Sequence, residues 1–175
     1  IKDACIRAGV QKALEYYLRS LKIKEEVNDV NGIGISLNNI GGVYNYLGDL
    51  DKALDFFRRS YELRERNNDK QGQSISLNNI GGIYLKKKDY KQAEENCLKS
   101  LKIAQELGFP DFIRRTAETL KNIYKAKGDD KKAMEMFELY VTMRDSINSR
   151  EAQRESQKQH FKLEYEKKAA ADSVR

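Results

Sequence analysis

The sequence predicts an all-α solenoid of helix–turn–helix repeats that ends in a long charged helix. Three observations predict it. A nine-residue string returns 40 residues downstream, apolar residues fall at helical spacing within each copy, and turn residues recur in register with them.

The recurring string is Ser36-Leu37-Asn38-Asn39-Ile40-Gly41-Gly42-Val43-Tyr44, which returns as Ser76-Leu77-Asn78-Asn79-Ile80-Gly81-Gly82-Ile83-Tyr84. Self-similarity at a fixed period marks an array of stacked units, none of which can bury its apolar face alone. The same step of 40 residues links Ala13, Ala53, Ala93 and Ala133, and it aligns Tyr44, Tyr84 and Tyr124. Gly9 falls 40 residues before Asp49, so Ala8-Gly9 is expected to form the first inter-helix turn. The array is expected to span residues 1–148. It would hold a truncated copy at 1–29 lacking most of its opening helix, then fuller copies at 34–69, 74–109 and 112–148.

Within a copy, the first helix carries Leu37, Ile40, Val43, Tyr44 and Leu47, or Leu77, Ile80, Ile83 and Tyr84, at the spacing of one helical face. A turn follows at Gly48-Asp49, Lys88-Asp89 and Gly128-Asp129. The second helix has its own stripe of Ala53, Leu54, Phe57, Tyr61 and Leu63. Its end is marked by Asn28-Asp29, Asn68-Asp69 and Gly108, because Asn and Gly tolerate the left-handed conformation that closes a helix. Pro110, the only proline, lies just past Gly108, where it interrupts nothing.

Composition narrows the function. The 175 residues are 34% charged with a net charge of +6, and Lys and Arg are interleaved with Asp and Glu, which reads as solvated helix faces and not as a nucleic-acid footprint. No stretch has the roughly 20 apolar residues of a membrane span. Cys5 and Cys97 form no close-spaced pair, and His160 has no cysteine partner nearby, so neither a metal site nor a catalytic triad is expected. Gly32-Ile33-Gly34 and Gly41-Gly42 lack the preceding strand and the Lys-Ser/Thr ending of a phosphate-binding loop. No catalytic residue, metal or cofactor is expected. The first residue, Ile1, suggests an excised or processed piece.

Leu37-x-x-Ile40-Gly41-x-x-Tyr44, followed by Ala53, Phe57 and Ser60, resembles the tetratricopeptide repeat over roughly Ala4 to Asn148. The resemblance implies a right-handed α–α superhelix that binds protein or peptide. In it, Gly41 and Gly81 would admit the paired helix, Ala53, Ala93 and Ala133 would be received at that crossing, and the three tyrosines would fill the space between repeats. The array departs from the common form in its period, 40 against about 34, so its second helices are expected to be longer by more than a turn. Lys121 stands where the close-approach glycine should be, which predicts rearranged packing in the last copy.

In such arrays the first helix of each pair lines the concave face. With Leu37, Ile40, Gly41 and Tyr44 used by the core, Asn38, Asn39, Gly42, Asn45 and Tyr46 are left to face the groove. The matching residues are Asn78, Asn79, Gly82, Leu85 and Lys86, then Glu118, Thr119, Asn122 and Lys125. Asn39 and Asn79 admit two readings. Their amides, each donor and acceptor, could pair with an extended peptide backbone as related arrays do, or they could tie neighbouring helices together. The carboxylate clamp of some relatives is not expected, since only Asn122 fits it among the corresponding residues.

From Asp145 the repeat gives way to a charged, helix-prone run, and residues 149–175 are expected to form a capping helix or an extended arm, with a homodimer through that helix as one use. Met143-Arg144-Asp145-Ser146-Ile147 with Tyr165-Glu166-Lys167-Lys168 resembles the tail of bacterial tetratricopeptide sensor regions, which lead into a membrane helix and a kinase, cyclase or DNA-binding output domain. That resemblance implies a periplasmic input module of a signalling protein. The alternative is a cytoplasmic adaptor without signalling output.

Overall fold

The computed structural model describes the backbone of residues 2–173 and the side chains of residues 9–162. Among the described residues seven helices follow one another: α1 (Lys2–Glu26), α2 (Val30–Leu47), α3 (Leu50–Arg66), α4 (Lys70–Lys86), α5 (Tyr90–Leu107), α6 (Pro110–Lys127) and α7 (Asp130–Ser173). Each packs on its chain neighbour. In addition α4 packs on both α2 and α6, whereas among the described residues no two of α1, α3, α5 and α7 pack backbone to backbone, α5 and α7 meeting through the Glu94–Lys132 ion pair. The even-numbered helices therefore form the inner row of a solenoid and the odd-numbered ones the outer row.

The turns are set by recurring caps. Asp29, Asp49, Asp69, Asp89 and Asp129 each accept a hydrogen bond from the backbone N–H three residues on, at 2.8–3.1 Å, which satisfies a donor that the helix start leaves free. Asn28, Asn68, Lys88, Gly48, Gly108 and Gly128 hold the left-handed backbone that ends each preceding helix. Among α2 to α7, α6 alone opens differently, with Phe109 before Pro110 and no side-chain cap.

One expectation is corrected here. Ala8-Gly9 is not a turn, because α1 runs unbroken from Lys2 to Glu26. At the place of the capping aspartate this copy has Gly9, so nothing there starts a new helix. The inner and outer helices are of nearly equal length: α2 and α3 have 18 and 17 residues, and α4 and α5 have 17 and 18.

The core is a chain of three apolar clusters stitched by tyrosines. Tyr44 packs against both the cluster of Leu14, Leu21, Leu37 and Ile40 and that of Ala53, Phe57, Ile80 and Ile83. Tyr84 joins the second to the third, around Cys97, Leu120 and Ile123. The close-approach glycines behave as the pattern implies. A Cβ on Gly41 would sit 2.8 Å from the Phe57 ring, and one on Gly81 would sit 2.2 Å from Cys97 Sγ. In the last copy Lys121 replaces this glycine and its amine lies over the rings of Phe137 and Tyr140. Phe137 is thereby displaced outward: it is 44% exposed, against 2% for its counterpart Phe57.

A buried hydroxyl seam runs beside the apolar one. Ser60 donates to the Gly34 carbonyl at 2.9 Å and accepts from Ser76 at 3.1 Å, so one residue of α3 grips both α2 and α4. Ser100 repeats this between the Ser74 carbonyl, at 2.7 Å, and Thr116. Arg64, 7% exposed, donates to the Gly72 carbonyl and closes the turn into α4.

Past the array, α7 continues as the same helix, 44 residues in all. Residues 151–162 are exposed throughout: Glu151 and Arg154 still border a crevice with Gln71 and Phe109, and the helix runs on from there as an arm. The side chains of Cys5, Leu163 and Tyr165, and those of Tyr165-Glu166-Lys167-Lys168 in the tail motif, lie outside the described residues.

Candidate binding groove

The inner row places the polar face of α2 beside α1 and α4, and a depression of about 350 Å³ opens between them. It is lined by Val10, Ala13 and Tyr17 from α1, by Asn38, Asn39, Gly42, Val43, Asn45 and Tyr46 from α2, and by Phe57 and Asn79. Six candidates singled out in the sequence thus converge: Asn38, Asn39, Gly42, Asn45, Tyr46 and Asn79. None of the lining residues is charged, in a chain that is 34% charged.

Two hydrogen bonds join α2 to α4 here, both between residues 41 apart. Asn79 Nδ2 donates to Asn38 Oδ1 at 2.8 Å, and Lys86 Nζ donates to Asn45 Oδ1 at 2.6 Å. Asn79 therefore already serves as an inter-repeat tie. Asn39 differs: half-buried in the depression, its side chain makes no hydrogen bond among the described residues. The Oδ1 of Asn79 and the Nδ2 of Asn38 make no hydrogen bond among the described residues, so the amides that line the depression include both donors and acceptors.

Gly42 and Gly82 contrast with the glycines that precede them. A Cβ on either would meet nothing within 4 Å. Each lies inside a helix, where glycine costs about 1 kcal/mol relative to alanine. Packing within the chain gives no reason for that cost.

The remaining candidates are not gathered into the depression. Asn78 lines a narrow crevice with Ser74, Phe112 and Arg115, its Oδ1 3.9 Å from Cys97 Sγ. Leu85 is corrected from groove to core: it is partly buried and packs against the cluster around Cys97 and Leu120. On α6, Glu118, Asn122 and Lys125 are exposed, and the Thr119 hydroxyl is committed to the Arg115 carbonyl at 3.2 Å. Sequence reasoning missed Val10, Ala13, Tyr17 and Val43. Tyr17 had a signal, since it lies 40 residues before the core residue Phe57.

The chemistry of the site is that of binding. Gly32-Ile33-Gly34 and Gly41-Gly42 lie within α2, not in loops. Burial pushes the Cys97 thiol up to about 12, far from a nucleophile's range. Among the described residues no cluster of three or more His, Cys, Asp or Glu side chains could hold a metal ion, and no helix is long and apolar enough to cross a membrane.

Residues 4–66 and 73–146 match the family model described as tetratricopeptide repeat. The chain belongs to the tetratricopeptide repeat family. Among curated proteins none matches. Among solved structures the chain is similar to BtubC (BKLC) from P. vanneervenii, at 25% identity and a TM-score of 0.71, covering 81% of this chain and 59% of that one. It is also similar to a putative kinesin light chain with nearly identical TPR-like repeats from Podosopora anserina, at 15% identity and a TM-score of 0.65, over 80% and 69% of the two chains. The TPR domain of Arabidopsis FLU, at 18% identity and a TM-score of 0.61, is covered over 95% of its length by 65% of this chain. The chain thus spans under two thirds of the BtubC structure. The tetratricopeptide repeat is a scaffold for protein–protein interaction, and this chain is such a module.

Proposed function

We propose that this tetratricopeptide array, of a long-period form, takes an extended peptide in the depression between α1, α2 and α4, and that it is the sensory or regulatory input region of a bacterial signalling protein. The observation that carries the peptide reading is the convergence of Asn38, Asn39 and Asn79, with Asn39 left free to pair with a ligand's main chain. Each such bond contributes about 1 kcal/mol net, and more where the amide would otherwise be desolvated without a partner.

The signalling part is supported by α7. It leaves the last repeat as an unbroken helix whose residues 151–162 are exposed, so a ligand that favours one packing of α6 on α7 would bias the course of the arm. The tail motif beginning at Met143 points the same way.

The test pans a random peptide library against the chain and titrates the enriched peptides by calorimetry, with helicity followed by circular dichroism. Replacing Asn39 by Ala is expected to weaken binding about tenfold with helicity intact. Enriched peptides indifferent to that substitution would remove the groove from the account. A parent reading frame without a membrane span beyond Arg175 would remove the basis of the sensor reading.

A further inference from the structure

We infer that the ligand of this groove is an uncharged stretch of extended peptide whose main chain lies directly against α2 at Gly42 and against α4 at Gly82; the inference rests on the peptide-groove reading and says what the groove selects. Gly41 and Gly42 are adjacent, yet their surroundings differ in kind. A Cβ at Gly41 collides with Phe57, whereas a Cβ at Gly42 enters open space, and the same split recurs at Gly81 and Gly82. A glycine that weakens a helix interior without easing any contact in the chain is explained when another backbone approaches there.

The lining says what that backbone carries. No carboxylate or cation is among the residues that line the depression, and the amine of Lys86 at its rim is already donated to Asn45. A charged side chain entering would give up water and meet no opposite charge among the lining residues, which is costly. Amide donors and acceptors on Asn38, Asn39 and Asn79 suit peptide N–H and C=O groups, and the Tyr17 and Tyr46 rings suit apolar side chains beside them. Neighbouring packed helices lie about 8–10 Å apart and an extended chain rises about 3.3 Å per residue. The peptide therefore crosses one inner helix every three residues or so, and the two glycines read positions about three apart.

The test uses the whole chain and two pools of capped peptides about ten residues long, enough to cross three helices. One pool contains uncharged residues only, and the other has Asp, Glu, Lys or Arg at alternating positions. Binders are expected from the uncharged pool, with affinity nearly unchanged between low and high salt. Gly42→Ala should weaken them about fivefold and Gly42→Val about twentyfold, while the melting temperature of Gly42→Ala stays level or rises. Binders only from the charged pool, or a Gly42→Ala variant of unchanged affinity, would overturn the inference. Peptides sensitive to Asn39→Ala but not to Gly42→Ala would sink this inference alone. Failure of every peptide in both pools to bind would sink the groove reading with it.

Discussion

Asn79 donates its side-chain amide to Asn38 across 2.8 Å, tying the fourth helix to the second inside the groove. The next copy does not extend this tie: Thr119, 41 residues after Asn78, turns its hydroxyl to its own helix at the Arg115 carbonyl. One side chain on the inner row thus holds two repeats in register while its carbonyl oxygen makes no hydrogen bond among the described residues. Replacing Asn79 by Ala should lower unfolding free energy by about 1 kcal/mol, and a double-mutant cycle with Asn38→Ala should show a coupling of the same order. Urea denaturation measures both. Strict additivity would mean the bond is idle.

The two glycines of each inner helix should respond to alanine with opposite signs. Gly81→Ala drives a methyl against Cys97 Sγ and to 3.1 Å from the Ala93 carbonyl, and overpacking of this kind costs about 1–3 kcal/mol. Gly42→Ala meets nothing within 4 Å and should stabilise by up to about 1 kcal/mol through helix propensity. Thermal unfolding of the two variants side by side gives the signs.

Phe57 and Phe137 occupy the same place in two copies but should differ in worth. Phe57→Ala empties a site that is 2% exposed and should cost about 3–5 kcal/mol, whereas Phe137 is 44% exposed and its loss should cost about 1 kcal/mol or less. Equal costs from denaturant midpoints would mean that Lys121 does not displace the ring.

Burial raises the Cys97 thiol from 9.0 to about 12, so the folded chain holds its proton where the unfolded chain has lost it. Stability attributable to this group is therefore intact below about pH 9 and falls as pH rises from there towards 12, by up to about 1.4 kcal/mol per pH unit. Replacing Cys97 by Ala should flatten that alkaline slope in denaturation curves. In the native state the thiol should resist alkylating reagents at neutral pH and react once the chain is unfolded.

The repeat, its helix pairs and most of its close contacts were legible because they rest on short-range chemistry that the sequence states twice. Gly41 beside Phe57 and Tyr44 between clusters follow from spacing alone. The start of α1 was not legible by alignment: Gly9 matched a turn by position, but the capping aspartate that makes the turn was missing. Leu85 was misplaced for a related reason, since a helical wheel assigns a face without showing how far the neighbouring pair wraps around it. Within the groove, the residues of α2 were readable from periodicity, whereas Tyr17 and Val10 enter through the packing of α1 beside α2, a tertiary fact that the periodicity of α2 does not contain. That Asn79 is spent on Asn38 could not be seen before the two helices were placed side by side.

The most direct measurement is amide chemical-shift mapping of the chain with a library-selected peptide. The account predicts perturbations centred on Asn39, Gly42, Asn45, Tyr46 and Asn79. Perturbations confined to the crevice at the base of the arm, around Phe109, Phe112, Ile147 and Arg150, with the α2 face silent, would contradict it.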